Sequence, residues 1–132
     1  MKKLVILVVA LFALVACPET PVYHNLYVIK NKTSHDVKLV YYYFKTSSDT
    51  IAIAANSFYE KNDNIFDFLN PDSAKIYFDN TKVLNFYIDS AQKNNILWYS
   101  SFEMVGQSDK ANNTVYYYTI TDNDFNEAVS VK

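Results

Sequence analysis

The sequence is poor in the residues from which most recognisable small-molecule sites are built. Its 132 residues include one Gly, one Cys, three Pro and no Arg. A single Gly is too few for phosphate-cradling loops or dinucleotide fingerprints, which need several. It also rules out a Gly-x-Ser-x-Gly elbow for a nucleophilic serine. One Cys excludes an intramolecular disulfide framework and a structural Cys₂His₂ or Cys₄ zinc site. With no Arg and a net charge of −2, nothing points to a nucleic-acid partner. The length allows one domain. What is abundant is aromatic surface, twelve Tyr and nine Phe, together with fourteen Asn. Asn tolerates left-handed backbone angles and can stand where turn glycines would otherwise be needed.

The one long apolar run is N-terminal. Met1-Lys2-Lys3 is followed by thirteen uninterrupted apolar residues, Leu4 to Ala16. A spanning helix needs about 20, so the run reads as a secretory signal peptide. It ends in Leu14-Val15-Ala16-Cys17, which matches the bacterial lipobox. In proteins with that box the Cys thiol receives a diacylglyceryl group, and cleavage before the Cys frees an amine that is usually acylated too. Two or three chains make anchoring stable where one does not. The bland alternative is an ordinary signal peptide with a chance Cys at its end. The expectation is a signal peptide over 1–16, lipidated Cys17 with a short tether over 17–24, and a domain over 25–132. Removing 1–16 leaves ten Lys against fourteen acids, a side-chain charge of −4.

Within the domain, short runs rich in Val, Ile, Tyr and Phe alternate with Asn, Asp, Ser and Lys clusters. That rhythm predicts an all-β fold, an Ig-like β-sandwich of about seven strands. The expected strands are 25–30, 37–44, 50–54, 75–79, 82–88, 96–102 and 114–121. A hairpin is expected at Asn80-Thr81, with Asn80 at positive φ. Along its second strand Leu84, Phe86 and Ile88 form the core face, and Val83, Asn85 and Tyr87 point the other way. Residues 62–73 are too mixed for a strand assignment and read as an edge strand or a loop. The tail from Thr121 looks like a short helical turn with a capping-box arrangement between Thr121 and Asp124.

Little supports chemistry. His24 and His35 sit in no motif, and the acids are scattered over turns, so the chain is not expected to be an enzyme and no cofactor or metal is expected. Asp122-Asn123-Asp124 with Glu127 has the flavour of a calcium loop but lacks the third ligand and glycine of an EF-hand; helix capping explains the same residues. The sharpest feature is the pair of runs Tyr41-Tyr42-Tyr43 and Tyr116-Tyr117-Tyr118. In a strand each run places aromatic surface on both faces. One face is core. The other is either cross-strand packing or a contact surface, for which Tyr42, Trp98 and Tyr117 are the candidate residues.

The lipobox, the Arg-free, Asn/Lys/Tyr-rich composition, the segment from Asp72 to Asp79 with its hairpin, and the ending Tyr118 to Phe125 together resemble the small single-domain lipoproteins of Bacteroidota. The resemblance implies a location and a β domain, not an activity. Under it, Asp49-Thr50-Ile51, Asp72-Ser73-Ala74 and Asp89-Ser90-Ala91 match a general O-glycosylation acceptor, making Thr50, Ser73 and Ser90 candidate modification sites. The same tripeptides also suit a turn that hands over to a strand. The expected role is a non-enzymatic module anchored by lipid to the outer membrane, on its surface or its periplasmic face. Its partner is an envelope protein or, alternatively, a glycan held on an aromatic face.

Overall fold

The structure, a computed structural model, describes residues 25–43, 47–63, 71–92, 94–108 and 113–132. The expected signal peptide, Cys17 and the expected tether with His24 lie outside the described residues. Among the described residues nine strands form two sheets: β1 (Asn25–Asn31), β2 (Val37–Tyr43), β3 (Ser47–Ile53), β4 (Phe58–Asp63), β5 (Ser73–Phe78), β6 (Lys82–Tyr87), β7 (Glu103–Ser108), β8 (Asn113–Ile120) and β9 (Val129–Ser130). A short helix, α1 (Asp122–Glu127), precedes β9. The four-stranded sheet runs β4-β1-β8-β7 and the five-stranded sheet β3-β2-β5-β6-β9. All pairings are antiparallel except β1 with β8, which run parallel at the centre of the smaller sheet.

The sandwich forms because alternation in both sheets delivers apolar side chains to one shared interior. Tyr27 and Ile29 of β1 meet Leu39 and Tyr41 of β2, Ile76 and Phe78 of β5, Leu84 and Phe86 of β6, and Tyr118 and Ile120 of β8 in a single core. The expected core face of β6 holds at Leu84 and Phe86, whereas Ile88 falls in the following turn and is 47% exposed. The connection after β6 supplies Ile96, Leu97 and Phe102 to the core. Fully buried Asn95 shapes it, giving its amide to the Tyr87 carbonyl (2.8 Å) and accepting the Leu97 N–H (3.0 Å).

That connection corrects the expected strand at 96–102. Its apolar residues reach the core through turns and a 3₁₀ turn (Tyr99–Ser101), and the strand begins only at Glu103. Apolarity there reports burial rather than extended pairing. The hairpin is also longer by one residue than expected. Phe78 pairs with Lys82, and both Asp79 (φ 49) and Asn80 (φ 56) are left-handed. Among the described residues Asn56 and Asn94 occupy the other left-handed non-glycine positions, as the abundance of Asn suggested. The lone glycine, Gly106, lies at φ 131 beside the bulge that shifts β7 against β8.

Strand direction gives the sandwich two unlike ends. Asn25 opens β1 at one end, level with Asp63 and Thr114. At the other end, about 20 Å away at the usual strand rise, lie the turns 32–36, 54–57 and 79–81 together with α1. Buried Asn31 stitches that end. Its amide nitrogen donates to the carbonyls of His35 (2.8 Å), Ala54 (3.0 Å) and Ile53 (3.3 Å), and its oxygen accepts from the Thr33 hydroxyl (2.8 Å). Asp79 accepts from His35 Nδ1 (2.6 Å) and from the Asp36 N–H (2.8 Å), while Asp36 accepts the Ala55 N–H (2.9 Å). Three turns are thereby held as one body.

Candidate functional site

The outer faces of the two sheets differ. On the five-stranded sheet, β2 turns Lys38, Val40 and Tyr42 outward. In register beside them β5 places Tyr77, Lys75 and Ser73, and β6 places Val83, Asn85 and Tyr87. Three tyrosines, two lysines and an asparagine therefore share one face. Partial burial, and then the neighbouring Tyr77, raise the Tyr42 hydroxyl above its ordinary pKa. Lys38 Nζ lies 4.7 Å from the Tyr77 ring centre and Lys75 Nζ 5.6 Å from that of Tyr42, both in the range of cation–π attraction. Tyr87 is 53% exposed.

This face continues into a groove of about 190 Å³ lined by Lys38, Ala52, Tyr77, Asp36, Asp79 and Asn80. The hairpin turn forms one wall, so the left-handed pair Asp79-Asn80 sets its shape. The Asp79 carboxyl is held below its ordinary 3.8, first by the His35 ring and then by the Asp36 N–H. It enters the groove as a carboxylate already engaged by two donors, an acceptor rather than a proton carrier.

The candidate aromatics separate. Tyr42 belongs to the tyrosine face just described. Tyr117 lies on the outer face of the other sheet, in register with Val28 and Glu103, with Lys30 Nζ 3.4 Å above its ring centre. Trp98 sits in the connection after β6, packed against the core, its indole N–H donating to the Ile88 carbonyl at 3.1 Å. The three do not form one platform. Tyr77 and Tyr87 are the residues that sequence reasoning did not single out. Alternation already turns Tyr87 away from the core, but only the strand order β2-β5-β6 reveals that both share a face with Tyr42.

The inner members of the tyrosine runs are core. Tyr41 and Tyr118 are 2% exposed, and Tyr116 stacks on Tyr27 at 5.3 Å. Burial pushes the Tyr41 and Tyr118 hydroxyls well above their ordinary range. Beside Tyr41, where β3 and β4 approach, a cavity of about 100 Å³ is lined by Tyr43, Asp49, Ile51, Tyr59 and Lys61. Polar lining of that size suits a few ordered waters.

Thr50 and Ser73 both point outward on the five-stranded sheet, flanking Val40 and Tyr42. Thr50 is exposed on the edge strand β3, whereas Ser73 is half-buried between β2 and β6. Ser90 is in the turn after β6, where its hydroxyl donates to the Tyr87 carbonyl at 2.9 Å. At the acidic tail, Asp124 accepts from the Thr121 N–H (2.7 Å) and hydroxyl (2.9 Å), the capping arrangement expected there. Among the described residues no three His, Cys, Asp or Glu group closely enough to hold a metal ion. Comparison with family models, with curated proteins and with solved structures finds no match to the chain.

Proposed function

We propose that this chain is a bacterial envelope lipoprotein of the Bacteroidota type, held at the outer membrane by lipid on Cys17, whose sandwich binds a partner and carries out no catalysis. The lipobox supports the anchor. The direction of β1 supports the orientation: a tether entering at Asn25 leaves the stitched turns at the opposite end, facing away from the bilayer.

The observation that carries the choice of partner is the tyrosine face of Tyr42, Tyr77 and Tyr87, interleaved with Lys38, Lys75 and Asn85. Rings set among hydrogen-bonding groups suit a glycan, which offers C–H faces and hydroxyls together. A continuous apolar patch would have suited a protein instead. Protein contact draws its support elsewhere, from edge strand β7, where Met104 is 66% and Val105 53% exposed.

Three experiments test the reading. Cys17→Ala abolishes incorporation of labelled fatty acid and releases the protein to the soluble fraction; persistence in membranes overturns the anchor. Retention of the wild-type protein on immobilised neutral polysaccharides is lost in Tyr77→Ala/Tyr87→Ala and kept in Met104→Lys. Capture of an envelope protein by the wild type that is lost in Met104→Lys and kept in Tyr77→Ala/Tyr87→Ala assigns the role to β7 instead. If the chain is O-glycosylated, exposed Thr50 is the favoured acceptor. Thr50→Ala then lowers the band on a gel and Ser90→Ala does not, and no shift at Thr50, Ser73 or Ser90 removes modification.

A further inference from the structure

The groove beside the hairpin turn has polar atoms to spare, and it adjoins the last ring of the tyrosine face. It holds about 190 Å³ between the start of β2, Ala52 of β3 and the turn at Asp79-Asn80, and Tyr77 belongs to both groove and face. We propose that this groove is the specificity subsite of a glycan site. It takes one neutral pyranose of a chain that stacks on the tyrosines, and it reads the orientation of the hydroxyls through Asp36, Lys38 and Asn80. The inference rests on the glycan reading of that face and adds the residues that select the sugar.

Elsewhere at this end of the sandwich, polar side chains are spent on the fold. Buried Asn31 and Thr33 bond to the turns around them, and Asp79 has one oxygen on the His35 ring (2.6 Å) and the other on the Asp36 N–H (2.8 Å). The groove differs. One carboxylate oxygen of Asp36 accepts the Ala55 N–H at 2.9 Å, and the second has no protein partner among the described residues. The exposed side-chain amide of Asn80, on a left-handed backbone at φ 56, makes no hydrogen bond among the described residues. Lys38 Nζ lies 4.7 Å from the Tyr77 ring centre, with no carboxylate at ion-pair distance among the described residues. An acceptor, a donor and an amide that does both thus border one hollow.

Charge narrows the occupant. Two carboxylates and one ammonium line the groove. The carboxylates repel a uronic acid, and the Lys38 ammonium already takes the place by the ring that a cationic ligand would seek. A neutral ring bearing hydroxyls meets neither objection, because each hydroxyl can donate to one group and accept from another. The volume lies below the roughly 300 Å³ at which drug-sized pockets begin, which suits a single ring.

Rigidity makes the subsite selective. The turn that carries Asn80 is closed by the Asp79 N–H on the Asp36 carbonyl (2.9 Å) and the Thr81 N–H on the Phe78 carbonyl (2.9 Å). Hydrogen-bonding groups held in this way distinguish a hydroxyl that meets them from its epimer, whereas stacking on a ring does not. Tyr42 and Tyr87 therefore supply retention, and the groove supplies choice.

The test uses the full chain purified in detergent and retained on an immobilised neutral polysaccharide. It is eluted with cellobiose, mannobiose or galactobiose, which differ in hydroxyl orientation, and with digalacturonic acid. For wild type, one neutral disaccharide elutes at a concentration about tenfold or more below the others, the scale of one charge-assisted hydrogen bond, and digalacturonic acid is weakest. Asp36→Asn can still accept from Ala55, and Asn80→Gly keeps the left-handed turn. Each brings the three neutral disaccharides to within about twofold of one another while the protein stays on the polysaccharide. Tyr87→Ala weakens retention and keeps their order. An unchanged order in Asp36→Asn and Asn80→Gly, no difference among the three with wild type, or digalacturonic acid as strong as galactobiose overturns the subsite and leaves the tyrosine face standing. Failure of wild type to be retained on any neutral polysaccharide removes the glycan reading and the subsite with it.

Discussion

Asn31 does more for the stitched end than any other single side chain. It is 1% exposed, and its amide joins His35 to Ile53 and Ala54, residues 22 and 23 positions along the chain from Asn31. Asn31→Ala strands buried carbonyls without a donor, and a loss of about 3 kcal/mol in urea unfolding is expected. Gly106 sets a different kind of demand. An added Cβ would meet no atom within 4 Å, so Gly106→Ala isolates the cost of φ 131, about 1 to 2 kcal/mol by the same measurement. Asp79 gives the end a pH dependence. Its carboxyl titrates lower in the folded protein than in the unfolded chain, so the folded state favours the ionised form. The resulting stability is fully present above the ordinary 3.8 and is lost as pH falls through the depressed folded value. Asp79→Asn flattens that acid limb in denaturation midpoints measured across the range.

At the scale of elements, the C-terminal helix is held by one ring. Phe125 stacks on His35 at 3.8 Å, meets Phe78 edge-on at 5.5 Å, and lies under Lys82 Nζ at 4.1 Å. Lys82 also donates to the Phe125 carbonyl at 3.2 Å. Phe125→Ala is expected to cost about 2 kcal/mol, with faster hydrogen exchange confined to α1, β9 and the 79–81 turn. The capping of this helix was legible because Thr121 and Asp124 are local partners, three residues apart. The hairpin at 79–81 was legible for the same reason, and β1, β2, β3, β5, β6 and β8 each overlap an expected strand. Strand β7 was not. Met104, Val105 and Gly106 carry no alternating signal because a bulge interrupts them, and the stronger apolar run Ile96-Leu97-Trp98 just before is buried without pairing. Edge strand β4 was equally hidden, since Phe58, Glu60 and Asn62 on its outer face offer no apolar period. The site shows the same limit. Outward residues can be read strand by strand, but which strands neighbour one another is decided by long-range pairing that leaves no local trace.

The whole molecule is a sandwich with an unusually phenolic interior, and that interior makes its own prediction. The hydroxyls of Tyr41 and Tyr118 are inside, and the Tyr118 hydroxyl donates to the Asn94 carbonyl at 2.7 Å. Burial raises both pKa values, with Tyr43 and Tyr59 among the neighbours of Tyr41 adding to its shift and Asp124 to that of Tyr118. A raised folded pKa means that the folded state holds the proton more tightly than the unfolded chain. The stability tied to these groups is therefore intact below their ordinary 10.0 and drains away as pH climbs through the folded values. A spectrophotometric titration should then show two populations of tyrosine. Rings whose hydroxyls water reaches ionise gradually with the fold intact. The buried pair ionise only in a cooperative step that coincides with loss of the far-UV signal of the sheets. Tyr118→Phe removes one hydrogen bond, costing about 1 kcal/mol at neutral pH, yet it should move the alkaline unfolding step to higher pH because one of the groups that drives it is gone. Smooth ionisation of all twelve tyrosines in a folded protein would mean that water reaches the sheet interface. That result would turn the small cavity beside Tyr41 from a pocket for a few waters into the mouth of an open cleft.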